Sequence, residues 1–346
     1  MGMNEPLVIV LGAGASKEFG LPLGSELIVE IAKYCDFKLK DFGMWTGGDD
    51  DLAEAIRQAA HLNHGSLNDY RNAAISIVQR SKAANSIDDL ISSAKDEPLV
   101  AEVGKLAIAR CLLEAEKKSR LYVDKTNFKN RMNFDGINET WLSELFKLIF
   151  SSATFEDAIE KLKKIKIISF NYDRCVKFYL LNIFKIKYEK TDLEIAEALT
   201  NLEILFPYGT LGFLDFEKNQ NTKSVEFGGG YSDEIIKAAN NLKTYSEATN
   251  SSSEQILKIR DIIKSANNLV FLGLAFHQQN LDLLYGEKPI VKPNNKTVIA
   301  STFGISDFNS KLFIKKLKDL GGYEKITNSS LTAYQTIKDY SEALKI

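Results

Sequence analysis

Short apolar runs alternate along this chain with longer stretches of helical periodicity. The first run, Leu7-Val8-Ile9-Val10-Leu11, is wholly apolar and β-rich, as buried parallel strands are. Lys166–Phe170, Leu202–Phe206, Leu269–Leu272 and Thr297–Ala300 read as further strands. Between them the apolar positions change period. Leu27, Ile28 and Ile31 share one helical face, and the chain from about Ser66 to Phe150 reads almost entirely helical. Within that block Ser86 reads as an N-cap, with Asp89 at the third helical position. Val103, Leu106, Ala107, Ala109, Cys111, Leu112 and Leu113 predict a helix apolar on more than one side, and Trp141–Ile149 repeats the pattern. Ser252–Ser265 is a later helix, and the polar, glycine-rich stretch Asp215–Gly230 a loop or hairpin.

Strands alternating with helices require right-handed crossovers and a parallel sheet covered on both faces. The expected fold is therefore α/β, a doubly wound Rossmann-like parallel sheet with a large helical insertion. The expected division is residues 1–40 and 151–310 for the nucleotide-binding sheet, 41–150 for an insertion covering the pocket, and 311–346 for a lysine-bearing helical tail.

Composition narrows the field. The 346 residues are 45% hydrophobic and 26% charged, enough apolar material for a large core. The net charge of −2 provides no global basic field, so direct nucleic-acid binding is not expected. Cys35, Cys111 and Cys175 are far apart and odd in number, which argues against a disulfide framework or a zinc module. No run approaches the ~20 apolar residues of a membrane span. Met1–Pro6 has no basic leader, so the expected location is cytoplasmic.

Gly12-Ala13-Gly14-Ala15-Ser16 follows the first strand directly. Glycines there let a backbone approach a pyrophosphate, and amides at the next helix start favour its charge. A plain tight turn would look the same. The dehydrogenase fingerprint fits poorly, because its third small position falls on Lys17 and helices follow where a second strand should bring an acidic residue.

Leu11–Ser16 followed by Gly20-Leu21-Pro22 resembles the opening of bacterial sirtuin-like (SIR2-like) NAD hydrolase domains. Ile168-Ser169-Phe170-Asn171-Tyr172-Asp173 resembles their second motif. Phe206-Pro207-Tyr208-Gly209-Thr210-Leu211 sits where they carry a His-Gly step, and Phe271–Phe276 with His277 and Asn280 resembles their late strand-and-loop motif. The resemblance runs from about residue 7 to 305. It implies an NAD-binding domain under a helical insert, NAD depletion in antiphage defence, a homo-oligomer, and in some systems a HerA-like ATPase partner. It implies NAD as the substrate, and no metal.

Cleavage of the nicotinamide–ribose bond passes through an oxocarbenium-like transition state, and its leaving group departs without acid help. The protein must hold the ribose, place a water and tolerate positive charge. By resemblance Asn171 orients the water and ribose hydroxyls, for which an amide can donate and accept at once. A turn asparagine is the alternative. Asp173 bonds a ribose hydroxyl or favours the cation, or else caps a helix or pairs with Arg174.

Tyr208 stands where the family has histidine, and with a pKa of ~10 it is a poor base at neutrality. Three readings follow: Tyr208 bonds the ribose, His277 takes over, or the site binds without cleaving. His277, like His61 and His64, also reads as an ordinary surface histidine. Gly12, Ala13, Gly14, Ala15, Ser16, Pro22, Asn171, Gly209, Gly273 and Asn280 are the expected NAD contacts. Ser16 would cap a helix or touch phosphate, and Gly273 would admit the adenosine half. The missing zinc cysteines disfavour protein deacylation. A non-catalytic NAD or ADP-ribose sensor or scaffold is the competing reading. A nuclease subunit ranks behind it, since no carboxylate cluster for a metal is evident.

Overall fold

The computed structural model describes residues 6–39, 45–94, 96–124, 126, 131–217, 224–248, 254–286 and 294–344. Residues 1–5 of the expected leaderless start, and 218–223 within the expected 215–230 loop, lie outside the described residues. Six strands form one sheet: β1 (Leu7–Leu11), β2 (Ile165–Ser169), β3 (Glu203–Leu205), β4 (Asn268–Leu272), β5 (Thr297–Ser301) and β6 (Thr327–Ser329). Their spatial order is β3-β2-β1-β4-β5-β6 and every pairing is parallel. The fold is thus the expected Rossmann-like α/β sheet with a large helical insertion.

β1 is central because all five of its side chains are apolar and all are buried. In register, Ile9 faces Ile167 on one side and Val270 on the other. Side chains alternate between faces, so Val8 and Val10 enter one core while Leu7, Ile9 and Leu11 enter the other. The chain builds outward from β1 to β2 and β3, then returns to lay β4 on β1's far side. That reversal puts a topological switch point at the carboxyl ends of β1 and β4.

The residues between β1 and β2 cover both faces. α1 (Ala13–Lys17) and α2 (Gly24–Tyr34) lead into α3 (Asp50–Leu62), α4 (Leu67–Arg80), α5 (Ile87–Ser93) and α6 (Pro98–Lys118). Ser86 Oγ accepts the Asp89 amide at 3.1 Å, as its spacing predicts. Pro98 sits in the first turn of α6, where its missing N–H costs nothing. The breadth of α6's apolar surface has a simple cause: it packs against α2, α3, α4 and α5 together, and against helix Ser232–Ala239. These helices share the Val8/Val10 core. α7 (Trp141–Phe150) instead packs in the opposite core with helix Cys175–Tyr188. The expected 41–150 insertion is therefore split between two layers.

The tail departs from the helical expectation. After helix Asp307–Gly321 the chain enters the sheet as β6, then forms helix Ala333–Asp339 against α7, with Ile337 fully buried. Thr327-Asn328-Ser329 carries no apolar signal because it is an edge strand, held by backbone pairing to β5. Among the described residues no helix is long and apolar enough to cross a membrane.

Candidate functional site

The carboxyl end of β2 turns sharply at Asn171, whose amide donates to Ser169 Oγ at 3.2 Å. That turn faces the loop after β1. Asn171 Nδ2 donates to the carbonyl of Gly12 at 3.0 Å and to Ser16 Oγ at 2.9 Å. Ser16 Oγ in turn donates to Asp173 Oδ2 at 2.5 Å, and Asp173 Oδ1 accepts the Cys175 amide at 3.1 Å. The three side chains form a chain of polar contacts at the floor of a cavity of about 330 Å³. All three are buried, so each contact acts where water does not compete with it.

Asp173 thus helps start helix Cys175–Tyr188 and also faces the cavity. Its neighbour Arg174 is engaged elsewhere, on Glu116. Ser16 lies inside α1 rather than at its cap, and its hydroxyl serves Asp173.

The opposite wall comes from the long β3–β4 connection. The backbone of Leu211 and the hydroxyl of Thr210 both donate to the Tyr172 carbonyl, at 3.0 and 2.9 Å, fastening that connection to the β2 turn. Gly209, on the wall, has φ +77, and a Cβ there would lie 2.0 Å from the Asn241 carbonyl oxygen; only glycine fits. Phe206, Phe213, Asn241, Lys243 and Gln255 also line this side. Among the described residues between β1 and β2 beyond α1, Phe19 aside, the cavity is reached by α7, through Trp141, whose indole N–H donates to the Ala15 carbonyl at 3.1 Å. The expected cover by residues 41–150 is mostly supplied instead by residues 206–217 with Asn241, Lys243 and Gln255, which belong to the crossover that follows β3.

Of the expected site residues, the structure brings Ser16, Asn171, Asp173 and Gly209 into the lining of this one cavity. Tyr208 is not part of it. Its ring packs against Phe170 and Tyr172, and its hydroxyl donates to Asn280 Oδ1 at 2.9 Å. His277 is exposed at the N-cap of helix Gln278–Tyr285, away from the cavity wall. Pro22 lies in the turn before α2, also off the wall. Gly12 and the first residues of α1, Ala13, Gly14 and Ala15, form the backbone that Gly273 packs against. A Cβ on Gly273 would lie 2.1 Å from the Ala15 nitrogen, and one on Gly12 would lie 2.6 Å from the Gly273 oxygen. The bareness of Gly273 admits this backbone, a different reason from the close ligand approach expected.

Several wall residues were not anticipated. Cys175 lines the cavity, but burial and the neighbouring Asp173 and Glu116 charges push its thiol well above its ordinary value, which disfavours the thiolate that nucleophilic attack needs. Lys177 pairs with Glu217 on the same wall. Glu18, off the wall, accepts the Trp141 amide at 2.8 Å and the Tyr334 amide at 2.7 Å, capping two helices at once. No helical or strand periodicity marks such residues; only the fold assembles them. Among the described residues no cluster of His, Cys, Asp or Glu could hold a metal. No family model matches this sequence, and no curated protein does.

Proposed function

We propose that the cavity receives the nicotinamide–ribose end of NAD and that the chain hydrolyses it to nicotinamide and ADP-ribose. The observation that carries this reading is the Ser16–Asn171–Asp173 relay at the carboxyl ends of β1 and β2, where parallel sheets place their ligands. Asn171 spends both amide hydrogens on Gly12 and Ser16. Its Oδ1 is left as the acceptor for a ribose hydroxyl or for the attacking water. Asp173 is joined to Asn171 through Ser16 and stabilises positive charge developing on the ribose. No base is required to expel a cationic ring, which fits a wall without histidine. Trp141 and Phe206 supply flat apolar surface for the pyridine ring.

The ordered motifs further support NAD depletion in antiphage defence, a homo-oligomer, and gating by a partner such as a HerA-like ATPase. Three buried, unpaired cysteines suit a reducing cytoplasm. A second reading, a sensor that binds NAD or ADP-ribose without turnover, is favoured by the position of Tyr208 off the wall.

The test is nicotinamide release from NAD by the purified protein, alone and with the candidate ATPase, against Asn171→Ala. Release that vanishes in the variant supports hydrolysis in this cavity. Binding without release in any state leaves the sensor, and the absence of both removes NAD altogether.

A further inference from the structure

Five charged side chains stand on the cavity wall: Asp173, Arg174, Lys177, Glu217 and Lys243. Lys177 and Glu217 pair with each other. Lys243 is exposed to solvent, where water screens it. Arg174 directly follows Asp173, so an uncompensated guanidinium there would cancel the carboxylate's field. It is compensated from outside the cavity. Glu116, near the end of α6, takes Arg174 Nε at 3.0 Å and Nη2 at 2.5 Å. This is a bidentate pair whose side chains are 2% and 0% exposed. Arg174 Nη1 donates to the Val225 carbonyl at 2.6 Å and Nη2 to that of Glu226 at 3.0 Å, while Glu116 Oε2 also takes the Gly228 amide at 3.1 Å. These hydrogen bonds of the pair all run to groups other than Asp173, whose own partners are Ser16 and the Cys175 amide.

We propose that Glu116 is a positioning residue acting through Arg174, whose charge it neutralises so that Asp173 remains the wall's effective anion and the cavity prefers a cationic pyridinium over a neutral ring. The inference rests on the NAD reading and adds what that reading lacks, a source of discrimination between oxidised and reduced nucleotide. A buried pair of this kind is costly to desolvate, and a purely apolar contact would join α6 to the 225–228 segment equally well. The charges serve the cavity.

The experiment compares calorimetric affinities for carbocyclic NAD, an uncleavable pyridinium, and for NADH, whose ring is neutral. Wild type binds the cation more tightly. Glu116→Gln keeps the side chain's shape and bares Arg174, so the cation preference falls roughly tenfold, from the size of a screened charge at this range, with NADH affinity little changed. Arg174→Met has the opposite sign and leaves the preference at or above wild type. The double variant E116Q/R174M restores it, and should E116Q not fold the test is the comparison of Arg174→Met with the double variant, in which the extra Glu116 charge makes the cation preference of Arg174→Met the higher and equal preferences overturn the proposal. Equal loss of both ligands in the two single variants, or a double variant without cation preference, overturns the proposal. A wild type that binds both nucleotides equally overturns it while leaving the NAD reading standing. A wild type that binds neither removes both.

Discussion

The amide of Gly14 donates to the carbonyl oxygen of Gly273 at 3.0 Å, so the start of α1 and the loop after β4 meet through bare backbone. Gly273 sits at φ +62, with the Gly14 carbonyl carbon 2.4 Å from where a Cβ would go. Gly273→Ala therefore combines an unfavourable conformation with a backbone clash. It should cost about 3 kcal/mol or more, lowering the thermal midpoint by several degrees. Gly304 offers the comparison: φ is +77 and nothing lies within 4 Å of its Cβ position. Gly304→Ala should cost only about 1 kcal/mol. Equal losses by calorimetry would refute the backbone-against-backbone account.

Ser16→Ala removes the donor to Asp173 and the acceptor for Asn171 in one step. A hydrogen bond to a charged group contributes about 1.5–3 kcal/mol, so kcat/KM for NAD cleavage should fall roughly 10- to 100-fold with a smaller fractional change in KM. An unchanged kcat/KM in a folded variant would show that the relay does not act on the reaction.

Tyr208→Phe and His277→Ala should leave kcat within about threefold of wild type, since neither residue is on the cavity wall. Tyr208→Phe should still cost about 1 kcal/mol of stability through the lost bond to Asn280. A fall of a hundredfold in kcat for either variant, with stability intact, would return that residue to the chemistry.

Glu18 carries a pH signature. Burial raises its carboxyl above its ordinary 4.5, only partly offset by the Tyr334 and Trp141 amides. Because the folded value exceeds the unfolded one, this group's stabilising contribution is complete below about pH 4.5 and is lost as pH rises through the folded value. Denaturant unfolding of wild type and Glu18→Gln across pH 4–8 should show the difference between them changing in that sense, and levelling off once the folded group is ionised. A difference flat with pH would mean that the two helix caps hold the carboxylate at its ordinary value.

The parts of the fold that the sequence displayed are those whose physics is local. β1 and β4 are apolar runs buried on both faces, and Ser86 announces its helix through a side chain three residues from its partner amide. β6 was invisible because Thr327-Asn328-Ser329 is stabilised by backbone pairing at an edge. In the candidate site, Ser16, Asn171 and Asp173 could be read from two loops following apolar strands. Glu116 and Glu18 could not. Each acts on residues far along the chain, on Arg174 in one case and on Trp141 and Tyr334 in the other. Tyr208 is the converse case: its place in a motif suggested ligand contact, and the structure shows its hydroxyl on Asn280 and its ring against Phe170 and Tyr172.

The central position of β1 also sets a schedule for biosynthesis. Ile9 must wait for Ile167, and longer for Val270, before either side of its strand is paired. At ~5–20 residues per second of translation, roughly 8–30 s separate the emergence of β1 from that of its first neighbour. During that interval five consecutive apolar residues stay unpaired on a nascent chain, a natural binding sequence for a ribosome-associated chaperone. The helices that follow β1 can form locally as they emerge, while the sheet they will cover has to assemble around a strand made long before.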